Sequence, residues 1–221
     1  MKNSLYTDCL PEKGLNILAR LKGIINEYHF VLAGGTALAL QIGHRLSVDL
    51  DLFTQQEFST ETLFQGITKL GLKPEILQEE RGTLTTVVGG VKISMFHYPY
   101  PFIDNLVGFG GVSVSGVLDV AAMKVIAISQ RGAKRDFIDL YFILQNVPFW
   151  KIAENMAERF GTERINPVHI GKTLVYFNDA DDDPEPKYIV KKAVSWENIR
   201  IFFKKNVKQM VIDMQKAKTP S

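Results

Sequence analysis

Apolar positions along the chain change period more than once. Leu15, Leu18, Leu21 and Ile25 recur at helical spacing and predict an amphipathic helix over 11–28. A short apolar run, Phe30 to Ala33, stops at Gly34-Gly35. Thr36 to Ile42 then reads as helix, with Gly43 as its stop. VDLDLF at 48–53 alternates polar and apolar with period two, the pattern of a strand. Residues 60–71 return to helix. Gly82–Val88 and Val91–His97 predict a hairpin about Gly89-Gly90, ended by PYPF at 99–102. Beyond it the pattern is helical: 116–130 and 135–146 on either side of Arg131-Gly132, then 150–160, 167–177 and a long helix over 196–216. NDADDDPEP at 178–186 reads as an acidic loop. Strands early and helices late predict an α+β protein, with a mixed-sheet module over 1–115 and a helical module over 116–221 packed on it.

Composition narrows the classes. Of 221 residues, 46% are hydrophobic and 23% charged, an ordinary globular profile. Cys9 is the sole cysteine, so an internal disulfide or a cysteine-rich zinc site is excluded and a reducing cytoplasm is expected. The N-terminal MKNSLYTDCLPEKG lacks an apolar signal core, and no apolar run is long enough to cross a bilayer, so no membrane partner is expected. The net charge of +2 argues against a uniformly basic coat, but its distribution is uneven. Residues 187–221 hold nine basic residues against two acidic ones, a local +7, which leaves −5 for the rest. Arg200, Lys204 and Lys208 share a helix face and are either a solvated surface or a phosphate-backbone contact.

The chemistry concentrates in 31–53, VLAGGTALALQIGHRLSVDLDLF. Asp49 and Asp51 share one face of a strand, where two carboxylates repel unless a cation joins them; Mg²⁺ accepts such hard oxygen ligands and completes its shell with water and phosphate. Gly34-Gly35 open a helix whose N-terminal N–H groups suit an anion. Thr36 is placed to cap the helix or bind phosphate, and His44, Arg45 and Ser47 add groups able to contact phosphate; His44 and His97 carry imidazoles, a side chain suited to proton transfer, but read first as structural residues. A P-loop and a dinucleotide fingerprint are both absent. A phosphate cradle and a metal dyad in one strand–helix–strand unit point to a metal–nucleotide site.

GGTALALQIGHRLSVDLDLF, with GHRLS at 43–47, resembles the first motif of the nucleotidyltransferase-like AbiEii toxin family, a branch of the polymerase-β nucleotidyltransferase superfamily. LDVAAMKVIAI at 118–128 resembles that family's lysine helix, RGAKRDFIDLYFIL at 131–144 its Arg-Asp-x-x-Asp helix, and VKISMFHYPYP at 91–101 the intervening strand. The resemblance implies a small nucleotidyltransferase-type mixed sheet with flanking helices and a helical C-terminal module. It implies that Asp49 and Asp51 hold Mg²⁺ or Mn²⁺ against an NTP, and that Gly34, Gly35, Thr36 and Ser47 contact its phosphates. Lys124 would neutralise phosphate charge, and Asp136 would complete the site or orient Lys124. Arg45 and Arg135 would clamp phosphate, and Asp139 would belong to the same cofactor-binding set. Apart from the resemblance, Asp136 and Asp139 read equally as ion-pair partners of Arg131, Lys134 or Arg135. Many superfamily members carry a third carboxylate on a neighbouring strand, where VKISMF offers Ser94. The implied activity is nucleotide transfer from an NTP to an RNA, tRNA-like, acceptor, in a toxin–antitoxin or phage-defence setting with a cognate antitoxin. The alternatives are an NTP–Mg binding module of weak activity and an Asp-x-Asp nucleotide-sugar glycosyltransferase.

Overall fold

A computed structural model describes residues 5–189 and 193–219. Its contacts divide the chain into a sheet unit, running through Pro101 and including Asn105–Gly116, and a helical unit of Phe102–Asp104 and the chain from Val117 onward.

The sheet unit begins with α1, Glu12–Glu27, which starts after Pro11, where the missing N–H costs nothing. The strand β1, Val31–Ala33, runs directly into α2, Gly34–Ile42. Gly43 ends α2 in the left-handed conformation, φ 62°, that glycine adopts without a Cβ penalty. Then follow β2, Leu50–Thr54, and α3, Thr60–Lys69, capped by the Ser59 hydroxyl. The remaining strands are β3, Glu75–Glu80; β4, Thr83–Val88; β5, Val91–His97; β6, Val107–Phe109; and β7, Val112–Val114. They form one mixed sheet in the order β3-β4-β5-β2-β1-β7-β6. β2 lies antiparallel to β1 and parallel to β5. Leu50, Leu52 and Thr54 are buried on the face that meets α1, where the Thr54 hydroxyl donates to the Tyr28 carbonyl. Alternation sends Asp51 and Phe53 to the opposite face.

Three strands go beyond the sequence pattern. β3, EILQEE, is exposed at all six positions, so no apolar alternation marks it. β6 and β7 are three residues each and turn at Gly110-Gly111, both with positive φ. The hairpin at Gly89-Gly90 forms where expected, with φ 58° and 79°.

The helical unit contains α4, Val117–Arg131; α5, Lys134–Leu144; α6, Phe149–Phe160; α7, Pro167–Thr173; α8, Asn178–Asp181; and α9, Trp196–Lys218. The reading of 167–177 as helix overruns α7 by four residues, and 178–186 is not all loop. Asn178–Asp181 makes one turn of helix that buries Ala180. Phe137 anchors the core, tilted or edge-on against Phe177, Trp196 and Phe203.

Candidate functional site

The β1–α2–β2 segment brings Gly34, Thr36, Ser47, Asp49 and Asp51 together. Ala33, paired with Asp51 across the strands, precedes α2 and gives it no side-chain cap. The positive end of the helix lies beside the Asp51 carboxylate. Gly34 has φ 65°, and a Cβ there would stand 2.9 Å from Asp51 Oδ2. Both the backbone and the carboxylate require glycine. Gly34→Ala is expected to cost about 1–2 kcal/mol from the left-handed backbone alone. Gly23→Ala, in the exposed interior of α1 with nothing within 4 Å of the new Cβ, should instead stabilise by about 0.5–1 kcal/mol. Urea unfolding of the two variants checks the opposite signs.

The loop from Gly43 to Asp49 is fastened to α2 from inside. The Thr36 hydroxyl hydrogen-bonds the Ser47 hydroxyl at 2.8 Å and also the Asp49 carbonyl, and the Ser47 N–H donates to the Cys9 carbonyl at 2.8 Å. Thr36 is 1% exposed and Ser47 6%. The Thr36 hydroxyl, expected at phosphate, bonds to the loop that carries Asp49 and so helps position the carboxylates. Arg45 is likewise buried and donates to the Leu46 carbonyl at 3.0 Å. His44 is fully buried, as a structural histidine should be. Asp49 and Asp51 are both half-buried.

Across the sheet, Asp51 registers with Ser94 on β5, and Ser94 with Thr85 on β4. Ser94 and Thr85 are buried at 3% and 5% exposure. The row beside the dyad is therefore hydroxylic rather than acidic. Among the described residues, no three His, Cys, Asp or Glu side chains cluster as a ready-made metal cage. Two half-buried carboxylates, Asp51 on β2 and Asp49 just before it, do fit Mg²⁺ arriving with its substrate, since that ion commonly takes one or two carboxylates and fills its shell with water and phosphate oxygens.

The helical unit holds the other sequence-selected residues. Lys124 Nζ lies 2.8 Å from Asp136 Oδ1 and 2.7 Å from Asp139 Oδ2, and both aspartates are fully buried. Arg131 Nε donates to Asp136 Oδ2 at 2.9 Å. Two cations thus balance two carboxylates across the Arg131-Gly132 junction. Lys134, which could have paired with these acids, turns away to the Asp183 carbonyl and the Asp181 carbonyl, with its Nζ 5.5 Å above the Trp196 ring. Arg135 is exposed on α5.

Burial by itself would raise the Asp136 pKa, but Lys124 and Arg131 outweigh it and hold the carboxyl below its usual 3.8. A depressed carboxylate pKa contributes stability that is present above the unfolded value and is lost as pH falls through the folded one. Wild-type stability is therefore expected to fall as the pH drops below about 4. Asp136→Asn should be less stable at neutral pH, show a flatter acid limb, and converge on wild type at low pH. Urea titrations from pH 7 to 2.5 read this out.

One polar cluster escaped the sequence reading. Asp119, buried in α4, accepts from Asn155 Nδ2 at 2.9 Å and from the Asp104 N–H at 3.0 Å, and Arg159 donates to the Asp119 carbonyl at 2.8 Å. Its signal is an Asn and an Arg four apart on the apolar face of α6. The cluster fastens Phe102–Asp104 to the helical unit. On α9, Arg200 faces Asp181 and Glu197 at 3.6 Å, and Lys204 lies 5.9 Å above the Phe177 ring. Part of that basic face is thus engaged within the unit. Lys191 and Lys192 lie outside the described residues.

The family model for the nucleotidyl transferase AbiEii toxin of type IV toxin–antitoxin systems matches residues 16–96. An uncharacterized protein of Aquifex aeolicus (strain VF5), aq_aa25, is 36% identical over 198 residues, covering 85% of this chain and 89% of that one. Among solved structures, JHP933 from Helicobacter pylori shares the fold with a TM-score of 0.55 at 17% identity, over 94% of this chain and 95% of that one. MenT4, a nucleotidyltransferase toxin from Mycobacterium tuberculosis H37Rv, does so with a TM-score of 0.55 at 15% identity, over 93% and 87%. At such identities these two structures establish the α+β fold with its C-terminal helices.

Proposed function

Since this chain belongs to the AbiEii nucleotidyltransferase toxin family, we propose that it moves a nucleotide from a Mg²⁺-bound NTP to a hydroxyl of an RNA acceptor. One observation carries the reading: the Asp51 carboxylate on β2 lies against Gly34 at the N-terminus of α2, and the Thr36 hydroxyl ties the backbone of Asp49, just before β2, to that same helix. Asp49 and Asp51 would hold the cation, Mg²⁺ or Mn²⁺, whose bound charge offsets that of the triphosphate. The N–H groups of Gly34 and Gly35 would bind phosphate oxygens. Thr36 and Ser47 hold the loop that aims Asp49. Arg45 and Arg135 are assigned to phosphate, and Lys124 to neutralising its charge, with Asp136 and Asp139 orienting the ammonium.

In the reaction the acceptor oxygen bonds to the α-phosphorus, the bond to the leaving pyrophosphate breaks, and the hydroxyl proton passes to water. Ser94 in place of an acid leaves no strand carboxylate to serve as base beside Asp51, so rate would come from positioning and charge neutralisation. The family setting makes a cognate antitoxin the regulatory partner, with a role as a cytoplasmic toxin in toxin–antitoxin or phage-defence systems. Among the described residues no helix is long and apolar enough to cross a membrane. The nucleotide-sugar glycosyltransferase alternative gives way to the family assignment.

Ser94 also favours a second reading, an NTP–Mg binding module with little turnover. Incubation with each of the four α-labelled NTPs, Mg²⁺ and total cellular RNA separates the two. Label entering one RNA class from one NTP supports transfer. NTP binding in a thermal-shift assay with no labelled RNA supports the binding module.

A further inference from the structure

The face of the sheet that carries Asp51 does not end in a polar rim. Two residues further along β2 stands Phe53, on the same face and about 7 Å on. Its ring stacks on Phe96 of β5 at 5.0 Å and 27°. Tyr98 meets Phe53 edge-on at 5.3 Å, and Tyr100 meets Tyr98 edge-on at 5.1 Å. All four rings are half-buried, so each keeps part of its surface accessible. An aromatic row that only sealed the core would sit on the other face, with Leu50 and Leu52, which are fully buried.

The direction of the row matters. β1 runs antiparallel to β2, with Val31 opposite Phe53 and Ala33 opposite Asp51. The start of α2 and the Thr36–Ser47 contact therefore lie toward the Asp49 end, and the rings lie toward the other end. In-line displacement puts the leaving pyrophosphate and the attacking hydroxyl on opposite sides of the α-phosphorus. With the triphosphate tail held at the helix terminus, the acceptor approaches from the aromatic side. Aromatic rings stack unpaired bases with little regard to sequence.

We infer that Phe53, Phe96, Tyr98 and Tyr100 form a stacking platform for the terminal unpaired base of the RNA acceptor. This rests on the reading of Asp49 and Asp51 as the nucleotide site. It makes the substrate a strand with a free, unstacked end rather than a duplex interior, and makes these rings positioning residues.

The test uses the full chain and a single-stranded hexaribonucleotide ending in 2-aminopurine, whose fluorescence falls on stacking. Wild type should quench it. Phe96→Leu and Tyr98→Leu, which keep apolar volume and remove the ring, should each weaken RNA binding about tenfold or more. Phe96→Trp should restore both affinity and quenching. NTP binding with Mg²⁺, followed separately for all four nucleotides, should stay unchanged in every variant. Unchanged RNA affinity and quenching in either leucine variant with a wild-type melting temperature would overturn the platform. Loss of NTP binding with RNA binding retained would overturn the acceptor assignment by giving the rings to the nucleotide's own base. Should the leucine variants melt early, the Phe96→Trp protein still decides, because a stacking ring enlarged to indole should deepen the quenching, whereas a filler role leaves quenching at the wild-type level. Failure of wild type to bind any NTP, while the quench persists, would count against the nucleotide site and not against the platform.

Discussion

Asp51→Asn is expected to lower nucleotide transfer by on the order of 10³-fold, equivalent to about 4 kcal/mol of transition-state stabilisation. The substitution keeps the shape of the side chain beside Gly34 and removes only its charge. It also removes the repulsion between Asp49 and Asp51, so the melting temperature should hold or rise. A fold-preserving change that abolishes activity is the signature of carboxylates kept for a cation. The two residues should act as one unit: the double change to asparagine should cost little more than either alone. Single-turnover transfer from an α-labelled NTP, paired with thermal unfolding, measures both halves. Transfer within a few-fold of wild type in the double variant would remove the dyad from the site.

The largest expected effect on stability lies in the helical unit. Lys124→Met leaves Asp136 and Asp139 fully buried, with Arg131 as the remaining cation in the cluster described above. Removing one partner of such a buried arrangement costs about 3–5 kcal/mol, because a charge remains that the interior cannot solvate. For a chain of this size, that lowers the melting temperature by on the order of 10 °C. The loss should shrink as pH falls, since protonating the stranded carboxylates removes the penalty. Adding Asp139→Asn to Lys124→Met should recover a large part of it at pH 7. Thermal and urea unfolding of the single and double variants at pH 7 and 4 tests this account. No rescue by Asp139→Asn would mean that Lys124 matters through packing of its aliphatic stem instead.

What was legible in the sequence followed from local rules. Period two in VDLDLF marked β2, because alternation is a property of the strand itself, but the strand is Leu50–Thr54, so Asp51 lies on it and Asp49 just before it. Gly43 and Gly89-Gly90 marked a helix end and a hairpin, because their left-handed backbones exclude most other residues. On the stripe of α9 spaced as Phe203, Val207, Met210 and Met214, three residues are buried and Val207 is half-buried, as on a helical face with one apolar side. What stayed hidden was non-local. β3 has no buried face and sits at the sheet edge, paired with β4. β6 and β7 are too short to show a period. Spacing also cannot reveal that the Thr36 hydroxyl turns inward to Ser47 and Asp49. Asp136 pairs with Arg131, as spacing allowed, and with Lys124, but that Asp139 also meets Lys124 from the preceding helix was set by helix packing and not by spacing along α5.

The central claim is that a nucleotide, and not a terminal phosphate, moves onto RNA from an NTP held at Asp49 and Asp51. The most direct measurement compares the same NTP labelled at its α- or γ-phosphate in parallel reactions with Mg²⁺ and cellular RNA. The account predicts that α-label enters RNA, that γ-label leaves as pyrophosphate, and that Asp51→Asn abolishes both. RNA labelled from the γ-position, or α-label transfer that persists in Asp51→Asn, would contradict it.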